Sequence, residues 1–491
     1  MSTRVELGTL EASGLIEIAA LQPELEYLFR HALVQDAAYG SLLKQDRRTL
    51  HRAAAEALLE LHPERERELA GVIAMHFEQA GDPARAGPYL VVAGEHALER
   101  FANKEAIAFF LRAGTMADDS QVDLRLRAAI GGAKAGWTYN TSGEDVERLE
   151  GALVEADRAD QQLVNEALFW VAFLRRQRGE LPESSPALKE ALERAARIGK
   201  ALGDPSAAAL PKALMGSYIA FTGNLREGAR EMSAALDAIE ATGDPVSTAI
   251  VSDFLAITYA RLGEFAAAEE TLARSTRLAG DGDDIARVDM MIAASGIQLE
   301  RGELDKASAQ SRKCAARSEE LGAYACVVAS NVMYGAACLA LEDASAAEGP
   351  LERGNELCMV TNMASMRTLI QSLLGSARAQ LGDLPGGVVG WDTALAGARS
   401  MNDRFGEAQT LWGRARTLAR QQSPDWIVTL ADLDRAIELF QAMEAQPSVA
   451  RALHDRAQAL RAIGRADEAA ESDRRSGELA RQLGLVDLLS A

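Results

Sequence analysis

The sequence is poor in lysine, aromatics, proline and cysteine. Eight of its 52 basic residues are lysine, aromatics make up 5%, and there are 13 prolines and four cysteines. No run of Lys or Arg exceeds two, and the formal net charge is −20. The basic stripe of a nucleic-acid surface is therefore missing. So few aromatics argue against a β-rich core. No apolar stretch reaches 18 residues, the length a membrane-spanning helix needs. Met1 to Ala20 carries acidic residues and lacks a basic start with a following apolar run, so neither a signal peptide nor a membrane partner is expected. Cys314, Cys326, Cys338 and Cys358 form no CxxC pair, and no histidine stands near them at ligand spacing. Reduced thiols in the cytoplasm are the expectation. The nearest string to a phosphate-cradling GxxxxGK[ST] loop, Arg194 to Ala201, lacks the first glycine and the hydroxyl. These absences predict no catalytic residue, no metal and no cofactor.

What the chain has is spacing. A motif of small–x6–Gly–(Glu/Asp)–(Leu/Phe)–x2–small–x6–small recurs about every 40 residues. Its glycine slot falls at Gly179, Gly223, Gly263, Gly302, Glu342, Gly382 and Gly464. Seven residues earlier stand Ala172, Gly216, Ala256, Ser295, Gly335, Gly375 and Ala457, and five later Ser184, Gly228, Ala268, Ala307, Ala347, Gly387 and Ala469. Twelve later stand Ala191, Ala235, Ser275, Cys314, Gly354, Ala394 and Ser476. Helices approach closely only where both carry small side chains, so the pattern predicts stacked helical hairpins. Around Gly263, apolar residues from Ile250 to Leu262 predict one helix and Phe265 to Leu278 the next. Gly263 suits a left-handed helix end, and links such as Gly243-Asp244-Pro245 stop one helix and cap the next. A solenoid also explains how 491 residues fold without one oversized core.

This ladder resembles that of tetratricopeptide-repeat (TPR) proteins. HEAT and armadillo repeats share the 40-residue period, and the small-residue slots are what favour TPR. The resemblance implies an all-α fold: a right-handed α–α superhelical solenoid over residues 114–491. A second resemblance covers residues 27–113, through Phe29-Arg30-His31-Ala32-Leu33-Val34-Gln35-Asp36, Arg47-Arg48, His76-Phe77, Ala80-Gly81-Asp82 and Ala93-Gly94. It looks like the connector between ATPase and TPR array in bacterial signalling proteins. Those proteins carry a class III adenylate cyclase or a LuxR-type DNA-binding domain beside an AAA/STAND ATPase. Residues 1–28 resemble a partial winged-helix remnant, and 29–113 form the connector. On this resemblance the chain is the non-catalytic regulatory part of an ATPase-linked system. The alternatives are the C-terminal portion of an adenylate cyclase system, or a fragment of a LuxR-type activator.

Other motifs read as structure. His31, His51 and His76 match no single-helix metal site and are expected to pack helices. Glu64-Arg65-Glu66-Arg67-Glu68 reads as a solvated helix start, and Gly280-Asp281-Gly282-Asp283 as a turn, since a calcium loop's terminal Glu is missing. In a TPR array the first helix of each hairpin lines the concave face. That register places Phe173, Arg176, Phe221, Ile257, Arg261, Leu299, Leu339, Arg451 and His454 in the groove. The expected partner is a protein or peptide, with an apolar amphipathic helix fitting the apolar middle. The alternative is that tight curvature closes the groove on itself.

Overall fold

The computed structural model describes residues 3–20, 26–118, 120–139, 144–183, 185–203, 205–280, 284–361 and 363–489. It is all-α apart from one two-stranded ribbon among the described residues. The chain opens with α1 (Thr3–Ala12), β1 (Ile16–Ala20) and β2 (Glu26–Phe29), the strands antiparallel with Ile16 opposite Phe29. Next come α2 (Ala32–Ser41), α3 (Lys44–Leu61), α4 (Glu66–Ala80), α5 (Pro83–Glu99), α6 (Asn103–Met116), α7 (Val122–Gly136) and α8 (Glu144–Ala152). Eight helical hairpins follow. They are α9–α10 (Gln161–Gln177, Pro186–Leu202), α11–α12 (Pro205–Phe221, Leu225–Glu240), α13–α14 (Pro245–Leu262, Phe265–Ala279) and α15–α16 (Asp284–Arg301, Leu304–Leu321). The rest are α17–α18 (Tyr324–Ala340, Ala344–Thr361), α19–α20 (Ala364–Gln380, Leu384–Ser400), α21–α22 (Arg404–Leu418, Trp426–Ala442) and α23–α24 (Gln446–Ala462, Ala466–Leu483). Short α25 (Val486–Leu489) ends the described chain.

Every small-residue slot that can be described is buried; Ser184 lies outside the described residues. The slots before and after a turn face each other within one hairpin. A Cβ on Gly228 would stand 2.6 Å from the Gly216 carbonyl oxygen, and one on Gly375 would stand 2.8 Å from the Gly387 oxygen. These helices pack backbone to backbone, which side chains would forbid. The turns themselves are left-handed, with φ of +78° at Gly179, +83° at Gly263 and +82° at Gly302. Glu342 and Phe101 hold the same conformation at φ +64° and +59° without glycine's freedom. Asp244 caps α13 by accepting from the Val246 N–H at 3.1 Å, with Pro245 in the first turn. Residues 281–283 of the expected turn after Gly280 lie outside the described residues. The string Arg194 to Ala201 lies within helix α10 and forms no loop that could cradle a phosphate.

The solenoid coils until successive turns of the superhelix touch. Gly179 in the first hairpin's turn sits against Met401 and Ala364, Gly223 against Arg404 and Met443, Gly263 against Leu483 and Pro447, and Gly302 against Asp487. The first three contacts are with the chain five hairpins on, and the last is with α25, which follows the eighth hairpin. Hydrogen bonds stitch the seam: Ser365 Oγ donates to the Gln177 carbonyl at 3.1 Å, and the Ala325 N–H to the Thr138 carbonyl at 2.9 Å. Arg226 pairs with Glu444 at 2.8 Å across it. These four turn glycines therefore serve twice, at the helix end and at this close approach. The concave groove is roofed along the seam and becomes a channel down the superhelix axis.

Candidate functional site

The first helices of the hairpins line this channel. On α13, Asp253, Ile257 and Arg261 recur every four residues and so share one face. Two cavities meet in the channel. The inner one, of about 180 Å³, is bordered by Trp137, Phe173, Arg176, Phe221, Asp253, Phe254 and Phe405 among others. The outer, of about 660 Å³, is bordered by Leu299, Glu300, Leu339, Trp412, Arg451 and His454 among others. Ile257, Arg261 and Phe405 belong to both, so the cavities adjoin. All nine groove residues expected from the register therefore border the channel. Arg461, further along the same helix as Arg451 and His454, is exposed and pairs with Asp473.

The inner chamber concentrates buried charge against aromatic faces. The Arg176 guanidinium carbon lies 4.1 Å from the Phe254 ring centre and 5.8 Å from those of Tyr218 and Phe221. That of Arg261 lies 3.8 Å from the Phe405 ring centre. Such stacking occupies the guanidinium faces and leaves their N–H edges to find acceptors. Nε of Arg176, Nε of Arg261 and Oδ1 of Asp253 are buried without a protein hydrogen-bond partner. Burial pulls both arginines below the ordinary guanidinium value; Tyr218, Asp253 and Asp403 oppose this at Arg176, and Glu300, Asp403 and Asp253 at Arg261. Burial pushes the Asp253 carboxyl up to about 7, and Arg176 and Arg261 oppose that shift. Asp403 is likewise raised by burial, against the Gly406 N–H that donates to its Oδ1 at 2.8 Å.

Charges in the outer cavity are better matched. Arg451 donates to Asp487 at 2.6 Å and to the Glu300 carbonyl at 3.0 Å, tying α25 and α23 to the end of α15. Burial raises Glu300, and Arg451 then Arg261 lower it. Trp412 Nε1 donates to Asp455 at 2.6 Å, and His454 Nε2 meets the Gln458 amide nitrogen at 2.8 Å. Asp403, Phe405 and Trp412 were not expected from the register. They reach the site from α21 and the link before it, across the superhelix from α13. Phe169, one turn before Phe173 on α9, is buried beside Trp170, with ring centres 5.6 Å apart.

At the other end of the molecule, His51 and His76 come together, their Nδ1 atoms 2.9 Å apart, with Tyr39 Oη 3.0 Å from His51 Nε2. They pack α3 on α4, and burial lowers His76. No group of three or more His, Cys, Asp or Glu among the described residues could hold a metal ion. No described helix is long and apolar enough to cross a membrane.

No family model matches the chain. Over 157 residues it is 31% identical to an uncharacterized protein of Rhizobium meliloti (strain 1021), a match covering 30% of this chain. The chain spans 15% of that relative's length. Among solved structures it is similar to a Rap protein complexed with competence and sporulation factor, at 12% identity and TM-score 0.47, covering 82% of this chain and 99% of that one. It is also similar to the APC/C Cut9–Hcn1 hetero-tetramer, at 14% identity and TM-score 0.47 over 93% and 92% of the two chains. A third is the Rap conjugation regulator of plasmid pLS20 with the Phr* peptide, at 10% identity and TM-score 0.49 over 74% and 96%.

Proposed function

We propose that this chain is a non-catalytic interaction scaffold that receives a protein or peptide segment in its axial channel. The observation that carries this is the channel itself: two adjoining cavities along the superhelix axis, where apolar walls and converging polar groups meet as in ligand sites generally. An amphipathic helix laid sideways into an open trough, as the sequence suggested, would have to pass the seam from Gly179 to Gly302. An extended segment entering along the axis meets no such barrier. Its apolar side chains would lie against Phe221, Ile257, Leu299 and Leu339.

The finer reading is that the scaffold regulates an ATPase-linked bacterial signalling protein. It is supported by the connector-like residues from Phe29 to Gly94 and by the much greater length of the Rhizobium meliloti relative. Selection of peptides from a displayed random library on the immobilised chain tests the scaffold reading. Enriched peptides should lose binding to a Phe221→Asp/Ile257→Asp variant whose thermal melt is retained. Peptides that bind parent and variant alike would place the interaction elsewhere. Sequencing the coding region upstream for an in-frame ATPase module tests the finer one.

A further inference from the structure

The inner chamber holds two like charges whose edges the protein leaves unanswered. Arg176 comes from α9 and Arg261 from α13, yet both act on the same two carboxyl groups, Asp253 and Asp403. Neither guanidinium has a carboxylate within ion-pair distance among the described residues, unlike Arg451 with Asp487 or Arg414 with Asp432 in the same superhelix. Ring stacking accounts for their faces only. A buried Nε–H with no acceptor is costly and uncommon in folded proteins.

We infer that the inner chamber binds a monocarboxylate carried on a small apolar or aromatic body, its oxygens taking the edges of Arg176 and Arg261. This deepens the reading of the channel as a binding site and rests on it. A guanidinium edge matches a carboxylate in bidentate fashion. The walls supply the apolar match, with Trp137, Phe173 and Phe405 around a space of about 180 Å³. That volume equals about six water molecules at their share of liquid volume, which suits one side chain or a compact acid. Asp253, Asp289 and Asp403 border the same space and weigh against a multiply charged anion such as phosphate. Because the chamber adjoins the outer cavity, the carboxylate has two sources: a free small acid, or the C-terminal residue of a peptide lying along the channel.

Calorimetric titration of the full chain separates these outcomes. The probes are phenylacetate, phenylacetamide, inorganic phosphate, and N-acetyl-Leu-Leu-Phe as free acid and as amide. Phenylacetate should bind saturably, with phenylacetamide weaker by about tenfold or more, since the amide cannot replace a charge-assisted bidentate contact. Arg176→Gln and Arg261→Gln should each weaken the acid by a similar factor. Acid and amide within twofold of each other, phosphate as tight as phenylacetate, or no binding of any acid would each overturn the inference. The acid–amide comparison on the parent chain decides even where a glutamine variant fails to fold. A tripeptide acid about tenfold tighter than phenylacetate marks a peptide terminus as the source, and equal affinities mark a free acid. Tripeptide acid and amide binding equally well, with sensitivity to Phe221→Asp/Ile257→Asp, would end the carboxylate inference and leave the peptide-channel reading standing.

Discussion

Replacing Gly302 and Gly464 by alanine, one at a time, separates two roles that the turn glycines play together. Both lie in the left-handed region, at φ +82° and +79°. An L-residue there costs about 1–2 kcal/mol from the clash of Cβ with the following carbonyl. At Gly464 that is the whole cost, because a Cβ would meet nothing within 4 Å. At Gly302 the added Cβ would stand 2.8 Å from the Asp487 backbone nitrogen, and against its side chain. Backbone cannot rotate aside as a side-chain end can, so the last superhelical contact must open or strain. Overpacking of this kind adds about 1–3 kcal/mol. The expected totals are therefore about 1–2 kcal/mol for Gly464→Ala and about 2–5 kcal/mol for Gly302→Ala. Urea unfolding followed by circular dichroism gives both. Gly302→Ala should also release α25, since Arg451 holds Asp487 from that side, and limited proteolysis after Leu483 would report it. Equal losses for the two variants would mean that the turns of the superhelix do not touch in solution, and the roofed channel would be wrong.

Other outcomes follow from the same geometry. Ala268→Leu and Gly335→Leu, at helix contacts where Gly335 already faces Leu351, should each cost about 1–3 kcal/mol or more in thermal melts. Phe221→Asp/Ile257→Asp, on side chains partly open to the channel, should melt much closer to the parent; an equal collapse would show that these residues are only core. Asp253 has a folded value raised to about 7, so the folded chain holds this proton more tightly than the unfolded chain. Its contribution is thus fully present below the unfolded value, fades as pH rises toward 7, and is constant above. The stability of Asp253→Asn relative to the parent should therefore grow between pH 4 and 7 and then level off; a difference flat across that range refutes the assignment. The chain should show no saturable MgATP binding at micromolar concentration, and binding abolished by Lys200→Ala would overturn the reading of Arg194 to Ala201 as plain helix.

Much of this protein was legible in spacing alone. The small slots at Gly216 and Gly228, or Gly375 and Gly387, lie 12 residues apart and meet within one hairpin. Local geometry suffices to pair them, because a turn fixed by a left-handed residue leaves the two helices only one close approach. The same register put Arg176, Ile257, Arg261, Leu299 and His454 on one inner face, since a helix repeats its face every three or four residues. What the sequence could not show is how far each hairpin rotates on the last. That rotation is small, is summed over five hairpins, and is carried by no single motif. Only the folded chain brings Gly263 to Leu483 and Gly302 to Asp487, and turns the groove into a channel. The same long-range closure lays Phe405 on Arg261, and it leaves two guanidinium edges without a protein partner in a chamber whose lining runs from Trp137 to Gly406.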